Sequence, residues 1–254
     1  MNNELLSIIR PKSFDDYFGQ AQIINELKVY IYSAKKQKTC LDHILLIGPS
    51  GMGKTSLAYV ISNEMNSKIR VINAPMVATI QDLVEILASI KENEIFFIDE
   101  IHRLDKKIEE ILYSVMDDFI INLTYKSEEK TKVIGIKLPR FTLIGATTLE
   151  GYLSVPLRDR FAIKFHFEPY CEDDLAKIAL CNAAKFNVNF EEIDDAKFFI
   201  KRVKNNPRII NNLLKRLSDY CLYMNKNSAK LDFLKEFFKF VKIDEYGLTL
   251  FDQK

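Results

Sequence analysis

Short runs of apolar residues alternate with stretches of helically spaced apolar residues through the first two thirds of this chain. A continuous apolar run with no polar face is typical of a strand buried on both sides of a parallel sheet. The predicted strands are 43–47, 69–73, 94–99, 141–147 and 162–167. The predicted helices are 22–38, 54–65, 81–90 and 108–119. Strands that alternate with helices predict a parallel sheet with helices on both faces, which is an α/β fold.

The alternation stops in two places. Strand-like stretches at 120–125 and 133–138 flank a polar stretch at 126–132, which predicts a projecting β-hairpin between residues 119 and 141. Beyond Pro169 only helical patterns recur, at 172–186, 194–203, 208–224 and 230–241. We therefore expect a large α/β domain at residues 1–169, a small all-helical domain at 170–242 and a C-terminal tail at 243–254.

The composition is that of a globular protein, with 48% hydrophobic and 28% charged residues. A net charge of +1 lacks the positive excess of proteins that wrap nucleic acid, so any DNA contact is expected to be local. The four cysteines form no C-x-x-C pair and no cluster with histidine, so we expect buried thiols in a reducing cytoplasm. No apolar run reaches membrane-spanning length, and residues 1–10 are too polar for a signal peptide, which indicates a cytoplasmic protein with no membrane contact.

The sequence GPSGMGKT at residues 48–55 fits G-x-x-x-x-G-K-[ST] and lies between a predicted strand and a predicted helix. In such a P-loop the glycines let backbone amides converge on phosphate oxygens, Lys54 reaches the β- and γ-phosphates, and the Thr55 hydroxyl binds Mg²⁺. A chance glycine-rich turn is the alternative. We expect ATP or ADP with Mg²⁺ as cofactors. The expected phosphate-binding residues are Gly48, Gly51, Gly53, Lys54, Thr55 and Ser56.

Two adjacent carboxylates follow the apolar run 95–98, at the end of a predicted strand where α/β folds bind their ligands. In this Walker B pattern Asp99 would hold Mg²⁺ through water, and Glu100 would polarise the water that attacks the γ-phosphorus. Both residues are also common helix caps, which is the alternative. Together with the P-loop they predict ATP hydrolysis.

The run FIDEIHRL at 97–104 resembles the second motif of AAA+ ATPases, and further stretches resemble the RuvB family, the hexameric motor of Holliday junction branch migration. These stretches are RPK at 10–12, YFGQ at 17–20, LDHIL at 41–45, NEM at 63–65, EEILY at 109–113, FTLIGATT at 141–148 and PLRDRF at 156–161. They occur in the family's order and spacing over residues 9–220. The resemblance implies a P-loop AAA+ sheet with a small helical lid.

The resemblance also implies roles for three residues that would act in catalysis. Thr148 matches the first sensor, at the end of the strand beside the Walker B carboxylates, where its hydroxyl would orient water or the γ-phosphate; a strand-end capping threonine is the alternative. Arg160 matches the arginine finger, which reaches the ATP of the neighbouring subunit; a surface ion pair is the alternative. Arg208 matches the second sensor, which contacts phosphate from the side of the lid. An arginine in the first turn of a helix is opposed by the helix dipole, so a nearby anion would explain its position.

Six further residues are implied as nucleotide contacts. Ile9, Arg10 and Tyr170 match adenine-side contacts, although packing at a domain junction explains Tyr170 as well. Asp117, Asp118 and Phe119 lie in a matching turn near the nucleotide. His102 is interpreted as a structural residue that forms hydrogen bonds.

The partners implied by the resemblance are a homohexamer, Holliday junction DNA and a RuvA-like protein that docks on the hairpin 119–141. A surface hairpin without a partner is the alternative for that segment. The family's chain continues with a winged-helix domain that contacts DNA, and we expect this sequence to stop where that domain would begin. Two other functions are considered: a different AAA+ remodeller, such as a clamp-loader-like ATPase, and an ATP-gated scaffold that does not hydrolyse ATP.

Overall fold

The computed structural model describes residues 8–126, 131–203 and 206–248. Residues 127–130 of the predicted hairpin and residues 249–254 of the predicted tail lie outside this part of the chain. Every predicted strand and helix is present among the described residues, with ends that shift by a few positions. The predicted α/β class is confirmed.

Seven strands are present in the part of the chain that the structure describes. They are β1 (Ile44–Ile47), β2 (Ile69–Asn73), β3 (Ile95–Asp99), β4 (Ile120–Lys126), β5 (Thr131–Lys137), β6 (Thr142–Thr147) and β7 (Ile163–His166). Five of them form a parallel sheet in the order β2-β3-β6-β1-β7. Strands β1 and β6 are buried along their whole length, because neighbouring strands cover both edges and helices cover both faces.

The first helix of the α/β part precedes the sheet, and the other helices of this part lie between its strands along the chain. These helices are α1 (Ala21–Gln37), α2 (Lys54–Glu64), α3 (Ile80–Ala88), α4 (Lys106–Asp118) and α5 (Val155–Asp159). A capping box between Thr79 and Asp82 begins α3, and the Asp105 side chain accepts the Lys107 amide at the start of α4. Helix α5 was not predicted, because five residues are too few to show a helical period. Ser154 and Pro156 supply its N-cap and first turn.

The predicted hairpin is confirmed for the described residues: β4 and β5 form an antiparallel pair with Ile120 opposite Lys137. Phe119 ends α4 in the left-handed conformation (φ 55°) and turns the chain directly into β4. The Leu138 amide donates to the Phe119 carbonyl at 2.8 Å and closes the base of the hairpin. Ile121 is fully buried in the main core, so the base of the hairpin is anchored in the α/β unit.

The chain divides into two compact units. One unit comprises residues 22–50 and 54–167, and the other comprises the described residues within 1–21, 51–53 and 168–254. The second unit contains α6 (Glu172–Lys185), α7 (Ile193–Ile200), α8 (Pro207–Tyr223) and α9 (Leu231–Val241). Its core includes the buried rings of Phe199, Phe237 and Phe238. The predicted domain boundary near Pro169 stays a prediction.

The expected burial of the cysteines holds for Cys221 alone. All four thiols are free, but Cys40 and Cys181 are half-buried, and Cys171, the N-cap residue of α6, is exposed. No helix in the described residues is long and apolar enough to cross a membrane.

Candidate functional site

The P-loop leaves the carboxyl end of β1 and leads into α2. The Gly48 amide donates to the Thr147 carbonyl at 3.1 Å, which extends the strand pairing into the loop. A Cβ atom on Gly48 would lie 2.7 Å from Cβ of Phe167, so only glycine allows the loop to pass this close to the end of β7. Lys54 is buried, and its Nζ donates to the carbonyls of Gly48 (2.6 Å) and Pro49 (2.9 Å).

The first helical turn after the loop meets the end of β3. The Thr55 hydroxyl donates to Oδ2 of Asp99 at 3.3 Å, and the Glu100 amide donates to Oδ1 of the same carboxylate at 3.1 Å. A hydroxyl and a carboxylate this close supply the oxygen ligands that Mg²⁺ prefers. The two predicted metal ligands are therefore brought together. Ser56 lies half-buried in the same turn of α2.

Glu100 takes the left-handed conformation (φ 52°, ψ 44°) between β3 and a short 3₁₀ turn, Ile101–Arg103. Its carboxylate points to the end of β6, which lies beside β3 in the sheet. There the Thr148 hydroxyl donates to Oε2 of Glu100 at 3.2 Å. The capping role considered for Thr148 belongs instead to its neighbour, because Oγ1 of Thr147 accepts the Leu149 amide at 3.0 Å.

His102, interpreted from the sequence as a structural residue that forms hydrogen bonds, lies in the same cluster, although its partners there were not predicted. Its side chain is only 9% exposed, and Nδ1 lies 3.3 Å from Oε2 of Glu100 and 3.0 Å from Oγ1 of Thr147. The ring of Tyr152 packs edge-on against the imidazole, with 6.4 Å between the centroids. One imidazole nitrogen is thus shared between the Walker B carboxylate and a buried threonine of β6.

Arg160 follows α5 and is held by three contacts. Its Nε donates to Oδ2 of Asp117 at 2.9 Å, Nη1 donates to the Pro156 carbonyl at 2.8 Å, and the guanidinium lies over the ring of Tyr113 at 4.5 Å. Arg160 precedes β7, so it lies at the amino edge of the parallel sheet, whereas the P-loop lies at the carboxyl edge. The structure does not bring Arg160 to the P-loop of its own chain.

The predicted nucleotide contacts Asp117, Asp118 and Phe119 also lie at the amino edge. They close α4, and the Phe119 ring packs between the rings of His43 (5.9 Å) and Phe141 (5.7 Å). These residues therefore cannot contact a nucleotide bound to the P-loop of the same chain. The pattern of the sequence did not separate the two edges of the sheet for this turn.

The tip of the P-loop, residues 51–53, belongs to the unit that contains the helices α6–α9. The Tyr170 hydroxyl donates to the Met52 carbonyl at 3.0 Å, and the Tyr17 hydroxyl donates to the Gly53 carbonyl at 3.3 Å. Burial, followed by the nearby Tyr170 hydroxyl, raises the pKa of Tyr17 well above its usual value, and burial also raises the pKa of Tyr170. Both phenols therefore remain neutral donors to the loop.

The two glycines of this tip lie so close to neighbouring side chains that neither position has room for a Cβ atom. Gly53 (φ +94°) would place a Cβ atom 2.7 Å from the Tyr17 hydroxyl. Gly51 (φ +83°) would place one 2.3 Å from Oδ1 of Asn206. Tyr17 belongs to the family motif YFGQ, and its contact with the loop was not predicted. Arg208 is exposed in the first turn of α8, where the Asn206 side chain accepts its amide at 2.9 Å.

The two remaining predicted contacts belong to the same unit. Ile9 is buried, and its carbonyl accepts Nζ of Lys185 at 3.4 Å. Arg10 is half-buried beside it in the chain. Their part in adenine binding stays a prediction.

Comparison with known proteins gives the family. The family model described as the Holliday junction DNA helicase RuvB P-loop domain matches residues 9–167. Relatives from Campylobacter hominis and Pediococcus pentosaceus, each named Holliday junction branch migration complex subunit RuvB, are 44% identical over 99% of this chain and 74% of their own length. The Thermotoga maritima RuvB Holliday junction branch migration motor has a similar structure, with a TM-score of 0.85 and 35% identity over 97% of this chain and 77% of that chain. The chain therefore belongs to the RuvB family of P-loop ATPases.

Proposed function

We propose that this protein is an ATP-driven motor of Holliday junction branch migration, in which ATP is hydrolysed between the subunits of a ring. The observation that carries the proposal is the 3.2 Å hydrogen bond from Thr148 to Glu100, beside the 3.3 Å contact of Thr55 with Asp99. The first pair orients the Glu100 carboxylate, and the second joins the P-loop helix to the end of β3, where Glu100 follows Asp99. The names of the relatives and of the similar motor supply the substrate.

The chemistry follows from these contacts. The P-loop amides bind the phosphates, and Lys54 exchanges its loop carbonyls for the β- and γ-phosphate oxygens. Thr55 and, through water, Asp99 would hold Mg²⁺, which would supply neutralisation of the charge on the phosphates. Glu100 draws a proton from a water molecule, whose oxygen forms a bond to the γ-phosphorus while the bond to the ADP oxygen breaks. The products are ADP and inorganic phosphate.

Arg160 completes the site of a neighbouring subunit. It lies at the sheet edge opposite the P-loop, and Asp117 and Tyr113 fix its direction. A guanidinium there stabilises the charge that develops on the γ-phosphate of the next chain. Asp117, Asp118 and Phe119 contribute to the same edge, so their predicted nucleotide contact is also made with the neighbour. A closed homohexamer places every such edge against a P-loop.

The remaining predicted residues act from the helical unit. Arg208 serves as the second sensor, and Ile9, Arg10 and Tyr170 bind on the adenine side. We retain the predicted domains: a large domain at 1–169, a lid at 170–242 and a tail at 243–254. The hairpin 119–141 docks a RuvA-like partner, and Holliday junction DNA is the substrate in the cytoplasm. The near-neutral net charge of +1 favours local DNA contacts over a broad basic surface.

Phosphate release in the presence of four-way junction DNA and a RuvA-type protein tests the proposal. We expect ATP hydrolysis that rises when both are added and that Lys54→Ala abolishes. Stimulation by a primer–template junction instead would favour a clamp-loader-like ATPase. ATP binding without phosphate release under any of these conditions would favour the scaffold and overturn the proposal.

A further inference from the structure

Two donors from two different elements surround Oε2 of Glu100. Thr148, at the end of β6, donates from 3.2 Å, and Nδ1 of His102, in the 3₁₀ turn after β3, lies at 3.3 Å. The same Nδ1 lies 3.0 Å from Oγ1 of Thr147. Thr147 is fully buried and already accepts the Leu149 amide. The position of the imidazole is therefore fixed by β6, and the imidazole in turn contacts the carboxylate.

The number of protons in this cluster limits what each group can do. An ionised carboxylate only accepts, so the contact between His102 and Glu100 is attractive only when Nδ1 carries a proton. Oγ1 of Thr147 has a second lone pair with which to accept part of that hydrogen bond. A threonine hydroxyl has one proton, so Thr148 can donate to Glu100 or to a phosphate oxygen, but not fully to both.

We propose that His102 is a positioning residue that holds the Glu100 carboxylate while Thr148 is bound to the γ-phosphate. When Thr148 turns to the phosphate, Nδ1 of His102 is the donor that remains on Oε2. Thr147 anchors the imidazole to β6, so the strand that carries the first sensor also orients the group that activates water. This inference rests on the proposed function, because it assigns water activation to Glu100.

Three substitutions of His102 separate this role from simple packing. In His102→Asn the amide nitrogen takes the place of Nδ1, in His102→Gln it takes the place of Nε2, and His102→Ala has neither. We expect kcat for ATP hydrolysis to fall about 10- to 100-fold in the Gln and Ala variants, as for the loss of a hydrogen bond to a charged group. The Asn variant should stay within about fivefold of the unsubstituted protein. KM for ATP should change less than about twofold in all three, because the orientation of the Glu100 carboxylate affects the transition state and not the binding of ATP.

Thr147→Val provides a second test of the anchor. We expect it to lower kcat, and to lower it little further in a His102→Gln background, because both changes break the same connection. Fully additive effects would argue against the shared hydrogen bond. The matched control is His166→Asn, since His166 is 64% exposed and contacts only Glu150 at 3.8 Å among the described residues. Its kcat should be unchanged.

The outcomes separate failure of this inference from failure of the proposed function. If the unsubstituted protein releases no phosphate with junction DNA and partner, the proposed function fails. If it does release phosphate, the inference is overturned by equal losses in the Asn and Gln variants, by a change in KM instead of kcat, or by no change in any variant. Should His102→Ala fail to fold, the comparison of Asn with Gln decides alone.

Discussion

The guanidinium of Arg160 and the carboxylate of Asp117 form a 2.9 Å ion pair that joins the end of α5 to the last turn of α4. Within one chain this pair is a surface contact, since the two side chains are 27% and 49% exposed. Such a pair adds little to folding stability. The pair orients the guanidinium, because together with the ring of Tyr113 it holds the long side chain of Arg160 at one edge of the sheet.

Mixing two inactive variants tests whether Arg160 acts on a neighbour. Lys54→Ala lacks a working P-loop and Arg160→Ala lacks the finger, so each alone should be inactive. In a mixed ring, random assembly places an intact P-loop beside an intact Arg160 at roughly one interface in four, which should restore part of the phosphate release. No recovery, in a mixture shown by pull-down to be co-assembled, would contradict a role between subunits.

Removing the acid that orients Arg160 should have a smaller effect than removing the arginine. We expect Arg160→Ala to lower kcat about 10³-fold or more. Asp117→Asn should lower it about 3- to 30-fold, because the guanidinium remains but is less restrained. The control is Asp159→Asn, which breaks an exposed pair between the last residue of α5 and Lys164 of β7, at 3.8 Å. Equal activity of Asp117→Asn and Asp159→Asn would show that the pair has no positioning role.

His43 should make the stability of the fold depend on pH. Nδ1 accepts the Leu143 amide at 3.0 Å, and Nε2 lies 3.2 Å from the Met116 carbonyl, so the ring is a neutral tautomer with its proton on Nε2. Burial is the main cause that lowers the pKa of His43 below its ordinary value of 6.5. The unfolded chain then binds the proton at a higher pH than the folded chain. The free energy of unfolding should therefore fall as pH drops through about 6.5 toward the lowered pKa.

Urea unfolding between pH 8 and pH 5 measures this loss. In His43→Gln the part of the pH dependence that belongs to this histidine should disappear, and stability at pH 8 should fall by about 1–3 kcal/mol from the disturbed buried hydrogen bonds. His166→Gln changes an exposed imidazole and is the control. If the pH dependence of stability persists in His43→Gln and disappears in His166→Gln, it belongs to His166, and the prediction is contradicted.

The hydroxyls of Tyr17 and Tyr170 should support nucleotide binding. Each donates to a carbonyl of the P-loop tip, Gly53 for Tyr17 and Met52 for Tyr170. We expect Tyr17→Phe and Tyr170→Phe to weaken ADP binding about 5- to 30-fold, because a buried carbonyl loses its donor and the loop is less well shaped. Tyr223→Phe, at an 82% exposed position, is the control for isothermal titration. Unchanged affinity in both P-loop variants would show that the phenols only pack.

The features predicted best are those whose partners are close in sequence or share one edge of the sheet. The P-loop, Asp99 and Glu100 follow parallel strands, and the carboxyl ends of parallel strands meet, so their convergence could be predicted from position alone. Thr148 lies beside Glu100 at the same edge, where the resemblance to the RuvB family, and not the pattern, predicted it. The sequence pattern could not exclude the capping role for Thr148, because Thr147 and Thr148 are adjacent and only the structure shows which hydroxyl accepts the Leu149 amide.

The features missed depend on contacts between distant side chains. The sequence did not show that Asp117–Phe119, which follow a helix that leads back across the sheet, lie at the edge opposite the P-loop of the same chain; their contact with a nucleotide stays a prediction. Helix α5 is too short for a periodic signal, although it sets the position of Arg160. The approach of Tyr17 to Gly53 joins residues 36 positions apart, and nothing in the local pattern indicates it.

Helix α4 has a consequence beyond the positions of its residues. It begins at Lys106, shortly after Glu100 and His102, and ends at Asp118, beside the base of the hairpin. Its thirteen residues form a rod of about 20 Å, and its last turn holds Arg160 through Asp117. Under the proposed function, a load on the hairpin reaches the arginine that serves the next subunit as directly as it reaches the chain's own carboxylate. A docked partner would then determine the order in which the subunits of the ring hydrolyse ATP. Single-turnover kinetics of mixed rings should reveal that order, whereas the steady-state rate of phosphate release does not.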